Sequence, residues 1–140
     1  MDIKIYHTLP KEAEAIRIAV FVDEQGFCDE MDDTDDIAVH LVMYDGKTPA
    51  ATCRLFWDDL MQSHLLGRLA VIKEYRGQGA GAAMISRAEA YIKEIGGRSI
   101  LLHAQCAAAE FYEKQGYTKR GQADDEQGCP HIWMHKKLEE

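Results

Sequence analysis

Six consecutive residues, Arg76-Gly77-Gln78-Gly79-Ala80-Gly81, carry the chemistry most readily seen in this chain of 140 residues. Three glycines so close together let successive backbone N–H groups converge on one point, because glycine tolerates positive φ and has no side chain to obstruct a ligand. A helix starting there adds unpaired amides and a favourable dipole, so the stretch suits an anion such as a phosphate. Arg76 stands at its entrance with a guanidinium that can pair with that anion. The segment Arg68 to Arg98 holds six bases against three acids, a positive neighbourhood in an acidic chain.

Two other phosphate-binding designs do not fit. A Walker loop ends in Gly-Lys-Ser/Thr, whereas Gly81 is followed by Ala82-Ala83. A Rossmann fingerprint belongs to an early βαβ unit with an acid ending its second strand, whereas the strand after this turn ends in His103.

The second group that could do chemistry is acidic. Asp23, Glu24, Asp29, Glu30, Asp32, Asp33, Asp35 and Asp36 follow one another with no Lys or Arg between them, and they account for the whole net charge of −8. Their field favours a cationic substrate, while a charge run of this kind ordinarily forms a solvated face. We therefore expect a surface loop or short helix over Cys28 to Asp36. Nucleic acid is excluded as a partner, since binding it requires a basic face.

The composition, 46% hydrophobic and 29% charged, is that of a globular protein, and the length fits a single domain over residues 1–140. No apolar run approaches the ~20 residues needed to span a bilayer, and the N-terminus lacks a signal-peptide pattern, so the expected location is cytoplasmic, with no membrane partner. Cys28, Cys53, Cys106 and Cys129 include no C-x-x-C pair, which argues against a zinc or redox motif; reduced, mostly buried thiols are expected, and no metal.

The elements that must position these groups follow from periodicity. Ile3 to Tyr6 reads as a strand, and Thr8 and Pro10 start a helix from Lys11 to about Asp23, with Ala13, Ile16 and Val20 on one face and Gly26 ending it. Ile37 to Tyr44 and Ala50 to Trp57 form a hairpin about Asp45-Gly46. Leu65 to Ile72 is a third antiparallel strand, with a bulge expected at Gly67. The helix after the glycine turn runs from Ala82 to Ile95 and buries Met84, Ala88, Tyr91, Ile92 and Ile95; Gly96-Gly97 stops it. Ser99 to His103 is a strand at crossover distance, expected parallel to Leu65–Ile72. A helix over about Ala107 to Gln115 follows, and Tyr117 to Lys119 and Pro130 to Lys137 close the fold around a loop from Gly121 to Cys129. The fold class is α/β (α+β), a mixed, mainly antiparallel sheet flanked by helices.

Gly67 to Gly81, with its R-x-x-G-x-G core, resembles the acetyl-CoA motif of the GCN5-related N-acetyltransferases (GNAT), and Phe111-Tyr112-Glu113-Lys114-Gln115-Gly116-Tyr117 resembles that family's F-Y-x-x-x-G-[FY] segment. Arg17, Val20-Phe21, Glu24-Gln25-Gly26, Glu30, Asp32-Asp33, Asp35-Asp36, Ala38 and His40 are similar to the pattern of small bacterial ElaA-like members. The resemblance implies transfer of an acetyl group from acetyl-CoA to a primary amine of a small molecule or peptide, by direct attack through a tetrahedral intermediate.

The resemblance also implies roles. Arg76, Gly77, Gln78, Gly79, Ala80 and Gly81 would hold the pyrophosphate, and the main chain of Leu69, Ala70 and Val71 would pair with the pantetheine arm. The Val71 amide would polarise the thioester, a track that leads toward Tyr112 as the group that protonates the departing thiolate. Gln105 stands where the family often has an Asn that contacts the cofactor. For the base, the residues leave Glu30, His40 and His103 open; Glu24 and Glu30 are candidates to recognise the amine and His131 to line its pocket. An acyl-homoserine-lactone synthase, for which the chain is short, and a non-catalytic acyl-CoA sensor are the alternatives. An exposed sheet edge would permit a homodimer.

Overall fold

The computed structural model describes residues 1–28 and 30–138. Asp29, one of the acids in the run above, lies outside them. Seven strands, β1 (Asp2–Tyr6), β2 (Val39–Asp45), β3 (Thr48–Asp58), β4 (Ser63–Val71), β5 (Ser99–Gln105), β6 (Thr118–Glu126) and β7 (Cys129–Lys137), are hydrogen-bonded in the order β1-β2-β3-β4-β5-β7-β6. Helices α1 (Lys11–Arg17), α2 (Ala80–Glu94) and α3 (Ala109–Lys114) flank this mixed sheet. The chain divides into two compact units, Met1–Phe56 with Leu66–Ala88, and Trp57–Leu65 with Glu89–Glu140.

In the first unit, β1 pairs antiparallel with β2 (Ile3 opposite Met43) and β2 with β3 (Leu41 opposite Cys53), the register shifting between Met43 and Tyr44. Helical spacing brings Ala13, Ile16 and Val20 onto a core with Val42, Tyr44 and Ala70, closed by Tyr6, Leu9, Phe27 and Ile72. Beyond Arg17 the helix widens into a π-helical stretch, Ile18–Glu24. Its Val20 carbonyl accepts from the Gln25 amide at 3.2 Å, five residues on, and Gly26 ends the segment with φ of +78°. The spacing anticipated one α-helix to Asp23; the wider turn follows the same apolar residues with a different hydrogen-bond pattern.

In the second unit, β7 pairs antiparallel with β5 (Leu102 opposite Met134) and with β6. Ile92, Ile100, Leu101, Leu102, Ile132 and Met134 are buried there. Glu89, on the buried side of α2, accepts from the Tyr117 hydroxyl (2.9 Å) and from Lys136 Nζ (3.0 Å). A Cβ built at Gly97 would collide with the Ile92 side chain and stand 2.9 Å from His64, so this glycine is required by close packing rather than by its φ.

Four expectations are corrected. The acidic stretch is not simply solvated: Asp33–Asp36 forms a 3₁₀ turn, and Glu30 and Asp35 are 8% and 5% exposed. Most of the expected loop from Gly121 to Cys129 is strand, with β6 running to Glu126 and Gln127-Gly128 making the turn, both at positive φ. Every residue of β6 is exposed, so no apolar alternation marks it in the sequence. Ile95 lies past the end of α2 and is exposed rather than in the core. Of the four free cysteines only Cys53 is buried.

Candidate active site

The glycine turn in the first unit is open. Gly77 and Gly79 have φ of +76° and +81°, and nothing lies within 4 Å of where a side chain at either would begin. A non-glycine residue would be strained at both positions. Helix α2 begins at Ala80, and the first bond across this start, Ala83 N to Gly79 O, is 3.0 Å long. The amides just ahead of Ala83 have no acceptor within the helix, which leaves them available to an anion. The residues present fit a pyrophosphate, and of the three glycines that the sequence singled out, Gly77 and Gly79 take the special φ angles while Gly81 lies in the first turn of α2.

Arg76 is already engaged. Its Nε donates to the Val71 carbonyl (2.9 Å), and Nη1 and Nη2 donate to Glu24 Oε2 (2.9 Å) and Oε1 (2.7 Å). The hydrogen-bonded guanidinium holds the Glu24 carboxyl below its ordinary range. Glu24 was expected to meet the amine; the structure commits it to Arg76 beside the glycine turn.

The acids further along are tied to arginines. Arg17, 1% exposed, donates from Nε to Glu30 Oε2 (3.0 Å), from Nη1 to Asp35 Oδ1 (2.7 Å), and from Nη2 to Asp35 Oδ2 (3.0 Å) and the Glu30 carbonyl (2.9 Å). Arg54 Nη1 donates to Asp32 Oδ1 (2.7 Å) and Asp35 Oδ1 (3.0 Å). Arg68 pairs with Glu30 through Nε at 2.7 Å and with Asp32 at 3.3 Å. Three cations thus balance three anions, which is how charges are tolerated at such burial. Burial by itself would raise the Asp35 carboxyl; the bonds from Arg17, the Asp32 amide and Arg54 overcome it and hold it at about 2. The same acids keep the Arg17 guanidinium above its usual range despite its burial.

This network takes in two of the catalytic candidates. Glu30 Oε2 faces two guanidinium groups, so the carboxylate is neutralised where a base or an amine receptor would need it free. His40 is 1% exposed and its Nε2 donates to the Asp35 carbonyl at 3.1 Å. Burial pushes its pKa down, and its bond to the Asp35 carbonyl ties the ring to the acidic turn. The special backbone in β4 lies one residue beyond Gly67, where a bulge was expected. Arg68, not Gly67, takes the left-handed conformation (φ +54°), and that turn accompanies its pairing with Glu30 and Asp32.

The remaining candidates belong to the second unit. Tyr112, on α3, is 9% exposed with its ring edge-on to Phe111 and Tyr117 at centroid distances of 5.1 and 6.1 Å. Gln105 ends β5 opposite His131 on β7. His131 is 5% exposed, and its ring lies 4.8 Å from that of His103, which stacks on Trp133 at 4.6 Å. Asp124 and Glu126 of β6 reach both imidazoles. Those two acids were missed because they fall in the stretch read as a loop; their i, i+2 spacing, which puts two strand residues on one face, was the available signal.

Comparison with known proteins bears on these sites. Residues 10–138 match the acetyltransferase (GNAT) domain family. The uncharacterized N-acetyltransferase YjcF of Bacillus subtilis is 32% identical over 129 residues, covering 90% of this chain and 91% of its own. A crystallised candidate N-acetyltransferase from Lactobacillus plantarum superposes with a TM-score of 0.87 at 33% identity, over 99% of both chains. Escherichia coli ElaA does so with a TM-score of 0.84 at 25% identity, over 96% of this chain and 98% of its own. An aminoglycoside 6'-N-acetyltransferase complexed with coenzyme A, 16% identical with a TM-score of 0.76 over 100% and 98% of the two chains, shares the fold. With the family match running through nearly the whole chain and the glycine turn intact inside it, this protein belongs to the GNAT family and is an acyl-CoA-dependent N-acyltransferase.

Proposed function

We propose that the protein transfers an acetyl group from acetyl-CoA to the primary amine of a small-molecule or peptide acceptor, and that residues 1–140 act as a single acetyltransferase domain. The observation that carries this reading is the open turn at Gly77 and Gly79, which leads directly into the first amides of α2 and has Arg76 at its side. Bound acetyl-CoA supplies an acyl group already attached to a good leaving group. The chain's own residues do the rest. The amides of Gln78, Gly79, Ala80 and Gly81 hold the pyrophosphate, and Arg76 exchanges Glu24 for a phosphate oxygen. The main chain of Leu69, Ala70 and Val71 lies along the pantetheine arm, and the Val71 amide donates to the thioester oxygen. Tyr112 Oη gives a proton to the departing sulfur, and Gln105 contacts the cofactor. The family match across residues 10–138 supports one domain, and four free cysteines suit a reducing, cytoplasmic setting.

The test is release of free thiol from acetyl-CoA in the presence of a panel of alkylamines, diamines, amino acids and peptides. Acceptor-dependent thiol is expected; tight CoA binding with no thiol from any amine defeats the reading in favour of a sensor. Arg76→Ala should weaken CoA binding about tenfold to a hundredfold, the worth of a charge-assisted contact of roughly 1.5–3 kcal/mol. Equal affinity for CoA and for its dephosphorylated pantetheine fragment would contradict the phosphate role.

A further inference from the structure

Strand β6 stands last in the order of the sheet, and every one of its residues is exposed. An edge strand presents N–H and C=O groups that its own sheet leaves unpaired, so another strand can be added there. Charges and bulges ordinarily blunt such an edge. β6 carries a bulge, its register with β7 shifting between Arg120 and Asp124. Its charges, however, are of both signs and sorted along the chain: Lys119 and Arg120 precede the bulge, and Asp124, Asp125 and Glu126 follow it.

The acids have neighbours within the chain and the bases do not. Asp124 Oδ1 lies 2.7 Å from His103 Nε2, Glu126 Oε2 lies 3.4 Å from His131 Nε2, and Asp125 Oδ2 accepts from the Gly128 amide at 3.0 Å. Among the described residues no hydrogen bond or ion pair engages the side chain of Lys119 or Arg120. A carboxylate has two oxygens and accepts several bonds, so the acids retain capacity for a cation.

Such a strand complements itself when paired antiparallel. About a two-fold axis at Gln122, Lys119 meets Asp125, Arg120 meets Asp124 and Thr118 meets Glu126. The faces agree as well. Arg120 lies opposite Trp133 and Asp124 opposite His131, two residues apart on β7 and therefore on one face. Lys119 lies opposite Met134 and Asp125 opposite Pro130, on the other face. Each base thus meets an acid on its own side of the sheet, and symmetry makes every pair twice. Gly121 and Ala123 flank the axis, so the two bulges meet through small side chains. Parallel pairing in register would set Lys119 against Lys119 and Asp124 against Asp124. β1, at the opposite end of the strand order, has five residues, and pairing it with its own copy along its full length would set Lys4 against Lys4.

We propose that β6 is the interface of a homodimer, pairing antiparallel with β6 of a second copy about a two-fold axis at Gln122, with Lys119 and Arg120 of one protomer against the acids of its partner. The inference stands apart from the acetyltransferase reading, which uses none of these residues. Because the charge pairs are exposed, the dimer is weak, reversible and sensitive to salt.

The test is analytical ultracentrifugation of the full chain over a concentration series. A monomer–dimer equilibrium is expected at low salt. Its dissociation constant should rise at least tenfold in high salt, as the screening length falls from about 30 Å at roughly 0.01 M to about 3 Å at roughly 1 M. A monomer at every concentration in both salts overturns the proposal, and so does a dimer that salt leaves unchanged. Lys119→Glu with Arg120→Glu makes the strand acidic, and Asp124→Lys with Asp125→Lys makes it basic. Each double variant alone should be monomeric, and mixing the two should restore dimers containing one of each. Should the second pair fail to fold, the first decides, since its replaced side chains hold nothing within the chain: dimerisation equal to the parent's overturns the proposal. Hydrogen exchange locates the contact. At high protein concentration and low salt the amides of Thr118–Glu126 should exchange more slowly in the parent and not in Lys119→Glu/Arg120→Glu. Protection that appears at Asp2–Tyr6 instead overturns the assignment in favour of the opposite edge.

Discussion

Two acidic regions of this protein use their carboxylates in opposite ways. In the first unit, Glu30, Asp32 and Asp35 are matched by Arg17, Arg54 and Arg68, and the side chains of Arg17 and Asp35 are 1% and 5% exposed. In the second, Asp124 and Glu126 are about half exposed and lie beside the imidazoles of His103 and His131. The contrast shows that charge density in the sequence is a poor guide to which acids stay exposed after folding. The denser run, which dominates the sequence, has its charge spent on guanidinium groups. The exposed pair of acids beside the imidazoles sits in a stretch with little sequence signal.

The strongest way to break the comparison is to remove one acid from each region. Asp35→Ala should destabilise the fold by about 3–5 kcal/mol in urea denaturation, because it strands buried guanidinium groups of Arg17 and Arg54. Glu126→Gln, on an exposed strand, should stay within about 0.5 kcal/mol of the parent. Comparable losses at both positions would erase the distinction.

The second unit should instead depend on packing. Gly97→Ala, whose added methyl meets Ile92 and His64, should cost about 1–3 kcal/mol, read as a lowered urea midpoint with an unchanged slope. A neutral result would mean that these side chains move aside freely.

Titration sharpens the same contrast. Asp35 is held at about 2, below the ordinary carboxyl value, so its charged form is favoured by folding. That contribution is complete above about pH 4 and is lost as the pH falls through about 2. Stability followed from pH 5 to pH 2 should therefore decline in the parent and more shallowly in Asp35→Asn. The smallest effect is expected at Glu24, exposed and paired with Arg76. Glu24→Gln should leave stability within about 0.5 kcal/mol and lower the dissociation constant for CoA, since Arg76 no longer has to leave a carboxylate. Weaker CoA binding would instead show that Glu24 orients Arg76.

What was legible in the sequence follows from periodicity and from glycine. Ala13, Ile16 and Val20 revealed the first helix, because burial on one face imposes a period, and the run from Ile37 to Tyr44, with apolar groups on both faces, revealed β2, which is buried from His40 to Tyr44. Gly77 and Gly79 revealed the turn ahead of α2 because their φ angles favour that residue. β6 stayed hidden because a strand exposed on every residue has no reason to alternate. The fate of Glu30 and His40 was equally out of reach, since it depends on Arg17, Arg54 and Arg68, residues whose side chains meet only after folding. The signal for Arg68's left-handed backbone was displaced onto the neighbouring glycine.

The π-helical stretch Ile18–Glu24 has a consequence for how this chain tolerates changes in length. A π turn carries an additional residue relative to an α turn, so it behaves as an insertion that the helix has absorbed. Deleting Ala19 would allow ordinary i→i−4 bonding to resume while leaving Arg17, upstream, in its ion network. Because the extra residue is absorbed within the wide turn, the faces on either side of the deletion would keep their orientation, and Glu24 would stay beside Arg76. A single codon lost there is thus tolerated where one lost from an ordinary α turn would not be, so the segment leading to Glu24 can change length without touching a residue of the glycine turn.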